Sequence, residues 1–306
     1  MLSLPRTARV NEVVARDGFQ NERQFLPTAY KISLINRLAE LGVRKIETTA
    51  FVSPKAVPQL ADAEQVVRGI NRLQGVVYSA LVPNLKGAGR AIACGIDELN
   101  VVVSASTTHN QKNLGMRVEQ SLEQIRAVVE TAGTRTRVGV SIATAFGCPY
   151  EGEVPRDKVL GLAEHFRALS VNALTLADTT GMAVPDQVYG VCRKFAEVWP
   201  ELDLTLHFHN TRGLGLANVL AGLAAGVTSF DSCLGGLGGC PFAPGATGNI
   251  CTEDLVHMLE GMNIATGIGL RELISLAGEL EQSVGHALPG QVARAGTRWD
   301  LHPKEE

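Results

Sequence analysis

Two histidines, His207 and His209, stand two residues apart in the run Thr205-Leu206-His207-Phe208-His209-Asn210-Thr211, which otherwise reads as a buried strand. Residues i and i+2 of a strand share a face. The two imidazoles therefore project side by side at the strand's C-terminal end, shortly before Gly213. Neutral imidazole is the commonest protein metal ligand, so the pair amounts to half a metal site. Alone, a His-x-His match is more often a pair of satisfied structural histidines. The rest of the chain has to decide between the two.

The elements that must position this pair form an alternation. Period-two and apolar runs predict strands at 10–14, 44–49, 76–82, 98–103, 137–143, 173–177, 202–209 and 229–233. Between them, 3.6-residue periodicity predicts helices at 28–41, 58–70, 85–94, 118–132, 156–169, 185–198 and 216–225, with Gly42 and Gly226 as stops and Pro185 at a first turn. Further helices are expected at 252–262 and 270–288. Eight strands, each followed by a helix, predict an α/β fold, a (β/α)8 TIM barrel with additional C-terminal helices. The alternative is an open doubly wound sheet, but no G-x-G-x-x-G follows the first strand, so its dinucleotide-binding version has no support. The expected organisation is a single barrel domain over 1–306, with the barrel at about 8–265, extra helices at about 266–290 and a loose charged tail at about 297–306.

In such a barrel, function collects at the C-terminal ends of the strands. The polar residues there form one set: Arg16, Asp17 and Gln20 after the first strand, Glu47 in the second, Asp178 and Thr180 after the sixth, the two histidines, and a glycine-rich loop from Gly235 to Asn249 containing Cys240. Taken singly, each has an ordinary reading: a turn, a helix cap, a surface charge. Jointly these readings fail, because buried charges at strand ends are costly unless paired or metal-bound. Asp17, His207, His209 and the amide oxygen of Asn249 make a mixed nitrogen and oxygen set with room for substrate. Ligand type alone leaves Zn, Fe, Co, Mn and Mg open.

The chain of 306 residues is 45% hydrophobic and 19% charged, a soluble globular composition. Net charge is −3 with no basic block, which gives no case for nucleic acid or a membrane surface. No apolar run approaches the ~18 residues that span a bilayer. The N-terminal residues have no signal-peptide pattern. The six cysteines, Cys94, Cys148, Cys192, Cys233, Cys240 and Cys251, include no C-x-x-C. Together these predict reduced thiols and a cytoplasmic location.

Five stretches carry a resemblance: 14–22 (Val-Ala-Arg-Asp-Gly-Phe-Gln-Asn-Glu), 46–55 (Ile-Glu-Thr-Thr-Ala-Phe-Val-Ser-Pro-Lys), 82–87 (Val-Pro-Asn-Leu-Lys-Gly), 147–152 (Gly-Cys-Pro-Tyr-Glu-Gly) and 236–241 (Gly-Leu-Gly-Gly-Cys-Pro). Across 10–285 the chain resembles the 3-hydroxy-3-methylglutaryl-CoA lyase family of metal-dependent lyase barrels. The resemblance implies cleavage of a 3-hydroxyacyl-CoA to acetyl-CoA and a keto acid, with Mg or Mn held by Asp17, His207, His209 and Asn249. It implies that Arg16 stabilises the developing enolate, that Cys240 sits on a mobile loop, and that Glu47 and Asp178 are acidic site residues. It also implies an acyl-CoA partner and a homo-oligomer. The chemistry of the residues agrees. A metal acidifies the C3 hydroxyl and orients substrate, Asp17 or His207 takes the proton, and the forked guanidinium of Arg16 suits a thioester enolate oxygen. Cys240 could protonate the enolate carbon.

The chain departs from the family pattern in places. Asn210 follows the second histidine where Asp is usual, and Arg212 and Leu214 are also unexpected. Ser106-Thr107-Thr108-His109 lacks the glutamate usual after strand four, and Gly139 and Ser141 stand where an arginine and a tyrosine are usual. These changes fall where the acyl part of a substrate would sit or behind the metal. Gln20, Ser106, Thr107, His109, Ser141 and Thr180 join Arg16 as expected substrate-binding residues. Citramalyl-CoA is the alternative substrate. An acyl-CoA-condensing synthase of the isopropylmalate or homocitrate type, and a non-catalytic barrel, are the alternatives from other classes.

Overall fold

The computed structural model describes residues 4–239 and 248–301. Within them, eight strands close into a parallel barrel in chain order: β1 (Arg9–Glu12), β2 (Lys45–Ala50), β3 (Val77–Leu81), β4 (Glu98–Ser104), β5 (Arg137–Ala143), β6 (Ala173–Asp178), β7 (Leu204–Phe208) and β8 (Ser229–Ser232). The ring closes through four residue pairs, from Arg9 with Ser229 to Glu12 with Ser232. The expected TIM barrel is what forms.

Strand alternation explains both the core and the site. On β7, Leu204, Leu206 and Phe208 face outward, and Leu206 and Phe208 are sealed in the core. On β4, Leu99, Val101 and Val103 do the same. The residues between them, Thr205 and His207 on β7 and Glu98 and Asn100 on β4, point into the barrel. The outward faces pack under α1 (Thr28–Glu40), α2 (Ala63–Gly69), α3 (Leu85–Ala93), α4 (Thr107–Leu114), α5 (Val118–Ala132), α6 (Arg156–Ala168), α7 (Pro185–Val198), α8 (Gly215–Ala224) and α9 (Thr252–Gly261). Beyond the barrel come α10 (Leu270–Val284) and the short α11 (Val292–Ala295), the additional C-terminal helices. The buried stripe Leu273, Leu276, Ala277 and Leu280 seats α10.

Four expectations needed correction. The first strand ends at Glu12, and Val14–Gly18 forms one wide helical turn instead. The helix expected at 58–70 breaks at Asp62, whose carboxylate accepts from Lys31 Nζ and Thr28 Oγ1, both at 2.8 Å. The helix expected at 270–288 stops at Val284, because Gly285 adopts the left-handed φ of 73° that ends helices. Finally, α4 was not expected at all. Its sequence, Thr-Thr-His-Asn-Gln-Lys-Asn-Leu, has no apolar stripe, and its start depends on the Ser106 side chain accepting from the His109 amide at 3.0 Å. Among the described residues, no helix is long and apolar enough to cross a membrane.

Candidate active site

The wide turn after β1 lifts Arg16 and Asp17 to the C-terminal mouth of the barrel. There Asp17 meets the end of β7. Its Oδ2 lies 3.7 Å from His209 Nε2 and 4.0 Å from His207 Nε2. The two imidazole rings stand 5.2 Å apart on one face, as their spacing requires. Ligand atoms of Asp17, His207 and His209 all lie within 4.8 Å of one another, and all three residues are buried. Asn249 pairs with His209 across an isolated bridge and donates from Nδ2 to Asp17 Oδ2 at 2.6 Å. Gly238 closes the cluster from the other side. Its φ is +93°, and a Cβ there would fall 2.6 Å from Asn249 Nδ2 and 2.8 Å from the Asp17 carbonyl oxygen. Only glycine suits that conformation and that approach.

Arg16 is clamped beside this cluster. Its Nε donates to Glu47 and its Nη1 to Asp17. Glu47 passes the chain onward, accepting from Asn100 Nδ2 at 2.7 Å, while Asn100 Oδ1 accepts from Ser141 Oγ at 2.9 Å. Gln20 donates to Asp17 Oδ1 at 2.8 Å. On the far side of His207, Nδ1 lies 3.4 Å from Asp231 Oδ2, and Asn11 donates to the other Asp231 oxygen at 2.9 Å. That leaves His207 Nε2 turned toward Asp17.

The electrostatics follow from these partners. Burial alone would raise the Asp17 carboxyl, but Arg16, His209 and His207 outweigh it and hold it down at about 2. Arg16 is likewise pushed down by burial and raised further by Asp17 and Glu47, so it is permanently charged. Burial brings His209 down to about 4, with Asp17 opposing. His207 feels the same burial, yet its hydrogen bond to Asp231 holds it above the ordinary histidine value. Burial pushes Asp178 up to about 6 against the amide of Met182, which donates to its Oδ1 at 2.7 Å.

The other expected site residues are placed as follows. Asp178 lies at the end of β6, next to the histidines in register, and its Oδ2 is buried without a hydrogen-bond partner. Thr180 is buried nearby with an unpartnered hydroxyl. Ser141 joins the chain from Arg16. Ser106 and His109, by contrast, are taken up internally. Ser106 caps α4 and accepts from Cys148 Sγ at 3.0 Å, and His109 Nδ1 bonds Ser104 Oγ at 2.7 Å. Thr107 is exposed on the first turn of α4. Asn210, one of the departures from the family pattern, accepts from the Gly215 amide at 3.0 Å and so fixes the start of α8. Cys240 lies outside the described residues. Two residues escaped sequence reasoning, Asp231 and Asn100. Each is polar and inward by alternation, on β8 and β4, and that pattern was the available signal.

The donor set passes a chemical test for a divalent cation. One carboxylate and two imidazoles converge, the Asn249 amide oxygen is buried with no partner among the described residues, and the Asp231–His207 bond supplies the outer support that metal-bound histidines need. Fold and site together define a (β/α)8 barrel whose mouth carries a buried carboxylate and two imidazoles, able to hold a cation, beside a fixed arginine. The HMGL-like family model matches residues 8–279, and the chain belongs to that family of carbon–carbon lyases. It is 44% identical to hydroxymethylglutaryl-CoA lyase YngG of Bacillus subtilis over 94% of this chain and 96% of that one. It is 42% identical to the (R)-citramalyl-CoA lyase of Chloroflexus aurantiacus, over 93% of each. A solved HMG-CoA lyase from Acinetobacter baumannii, in complex with coenzyme A and 3-methylmalate, superposes with a TM-score of 0.95 at 49% identity, covering all of both chains.

Proposed function

We propose that this chain cleaves 3-hydroxy-3-methylglutaryl-CoA to acetyl-CoA and acetoacetate, using Mg or Mn. The observation that carries the reading is the convergence of Asp17, His207 and His209 beside Arg16 at the barrel mouth. The cation, when bound, supplies a Lewis acid that acidifies the C3 hydroxyl and orients substrate. Asp17, His207, His209 and Asn249 are the residues that would hold it. Arg16, fixed by Glu47 and Asp17, faces the thioester oxygen and stabilises the enolate left when the C2–C3 bond breaks. The hydroxyl proton goes to Asp17 or His207, whose facing atoms border the same space. Asp178 and Thr180 border the histidines, where their unpartnered oxygens suit a substrate's polar groups. Cys240 is assigned as proton donor to the enolate carbon on the family pattern alone. We read the chain as one cytoplasmic domain, supported by the continuous barrel and by cysteines without a pairing pattern, that assembles with itself on the family pattern alone.

A second reading, cleavage of citramalyl-CoA, is favoured by the Chloroflexus relative and by the 3-methylmalate in the Acinetobacter complex. Citramalate and 3-methylmalate both carry hydroxyl and carboxylate on adjacent carbons. The test is turnover of both thioesters by chelated protein restored with Mg or Mn, alongside calorimetric titration of each metal. Faster cleavage of 3-hydroxy-3-methylglutaryl-CoA supports the first reading, and faster cleavage of citramalyl-CoA the second. Metal binding without turnover of either overturns both.

A further inference from the structure

Below the cation-binding cluster, the barrel is hollow. Asn100 on β4, Ser141 on β5, Thr175 on β6 and Asp231 on β8 all face inward at mid-strand, and all are partly exposed. Two residues earlier on the same four strands, Glu98, Gly139, Ala173 and Ser229 are buried. The space they border is therefore sealed beneath. The floor is tightly filled: at Gly139 even a Cβ would come within 3.2 Å of Glu98 Oε1.

The lining has a definite chemistry. Ser141 and Thr175 are register partners on adjacent strands, so their hydroxyls lie side by side. Ser141 Oγ spends its proton on Asn100 Oδ1, leaving its lone pairs to accept. The Thr175 hydroxyl makes no hydrogen bond within the described residues, so it can donate or accept. Nearby cations are already matched: Arg16 by Asp17 and Glu47, and Lys45 by Glu98. Beyond Arg16, the charges facing the hollow are the carboxylates Glu47 and Asp231, engaged with Arg16 and His207. An added anion would face these carboxylates, and a bare methyl leaves the Thr175 hydroxyl without a partner.

We propose that this hollow is an acyl subsite for an uncharged, hydroxyl-bearing substituent on the carbon that carries the C3 hydroxyl. The inference rests on the lyase reading above. The reaction is unchanged. The C2–C3 bond breaks with its electron pair left on C2, the C3 hydroxyl loses its proton and becomes the ketone, and C2 gains a proton. The products are acetyl-CoA and a hydroxylated keto acid.

The test compares 3-hydroxy-3-methylglutaryl-CoA with its analogue bearing hydroxymethyl in place of the C3 methyl. Wild-type protein with Mg or Mn should favour the hydroxymethyl compound in kcat/KM by about tenfold or more. Thr175→Val and Ser141→Ala should each lower that ratio by about tenfold, chiefly through KM. Equal rates, a preference for the methyl compound, or a ratio that neither folded variant moves would overturn the subsite. Calorimetry on chelated wild-type protein reads the same preference as a ratio of Kd values, with no turnover and no variant required. Equal Kd values sink the subsite, whereas absent turnover of both thioesters with unequal Kd values sinks the lyase reading instead.

Discussion

Buried carboxylates occur in two regions at the same end of the barrel, and they titrate in opposite directions. Asp17, buried, and Asp231, largely covered, face the mouth, where Arg16, His207 and His209 are within reach, and both carboxyls are held below the ordinary value. Glu12 and Glu253 lie behind it, under the start of the glycine-rich loop. Glu12 accepts from the amides of Val14 at 2.9 Å and Leu234 at 3.0 Å and from Thr252 Oγ1 at 2.7 Å. Glu253 accepts from the Gly235 amide at 3.0 Å. Among the described residues neither has a cationic partner, and burial pushes them up to about 7 and about 8. Burial is thus common to both regions, and the nearby cation or imidazole separates them. Asp17 and Asp231 stay ionised because cations or imidazole offset burial, Glu12 and Glu253 serve as neutral tethers, and Asp178, beside the histidines but raised to about 6, falls between them.

If that division is right, removing charge should be ruinous in one region and mild in the other. The largest effect is expected at Asp17. Asp17→Asn keeps the shape but removes the one anion facing both imidazoles, so cation binding should fall below calorimetric detection and kcat/KM should drop by roughly a thousandfold. Retained cation affinity in a folded Asp17→Asn protein would break the comparison. Asp231 comes next. Its carboxylate fixes the ring orientation and proton position of His207, so Asp231→Asn should weaken cation affinity about 10–100-fold. A change below about threefold would make Asp231 a lining residue only.

The sequence exposed the parts of this arrangement that depend on local spacing. Eight strands with intervening helices are visible because burial of one strand face and one helix stripe imposes periods of 2 and 3.6 on the residues themselves. His207 and His209 are visible for the same reason, being neighbours two apart on one strand. The helix α4 was invisible because its polar face carries no period, and Ser106 and His109, which build it, looked like substrate contacts. Asp231 and Asn100 were missed because their meaning lies in pairing between strands. His207 and Asp231 are register partners on β7 and β8, and Asn100 reaches Glu47 across β3. No spacing along the chain encodes which strands become neighbours when the barrel closes.

The smallest predicted effect on activity comes from the second region, and it is read as stability against pH. The folded values of Glu12 and Glu253 lie above the unfolded value of 4.5. Below that value both states hold the proton, and the contribution to stability is fully present. As pH rises, the unfolded chain ionises first, and stability is lost until about pH 7 for Glu12 and about pH 8 for Glu253. Glu12→Gln keeps an acceptor for the Val14 and Leu234 amides and a polar partner for Thr252, but has nothing to ionise. The variant should therefore gain on the wild type between pH 4.5 and 7, by at most about 3 kcal/mol. Glu253→Gln should show a gain of the same sign, larger because it extends to pH 8. Denaturant midpoints across that range would check both, and a variant that loses ground to wild type as pH rises would show that these carboxyls are ionised in the fold after all.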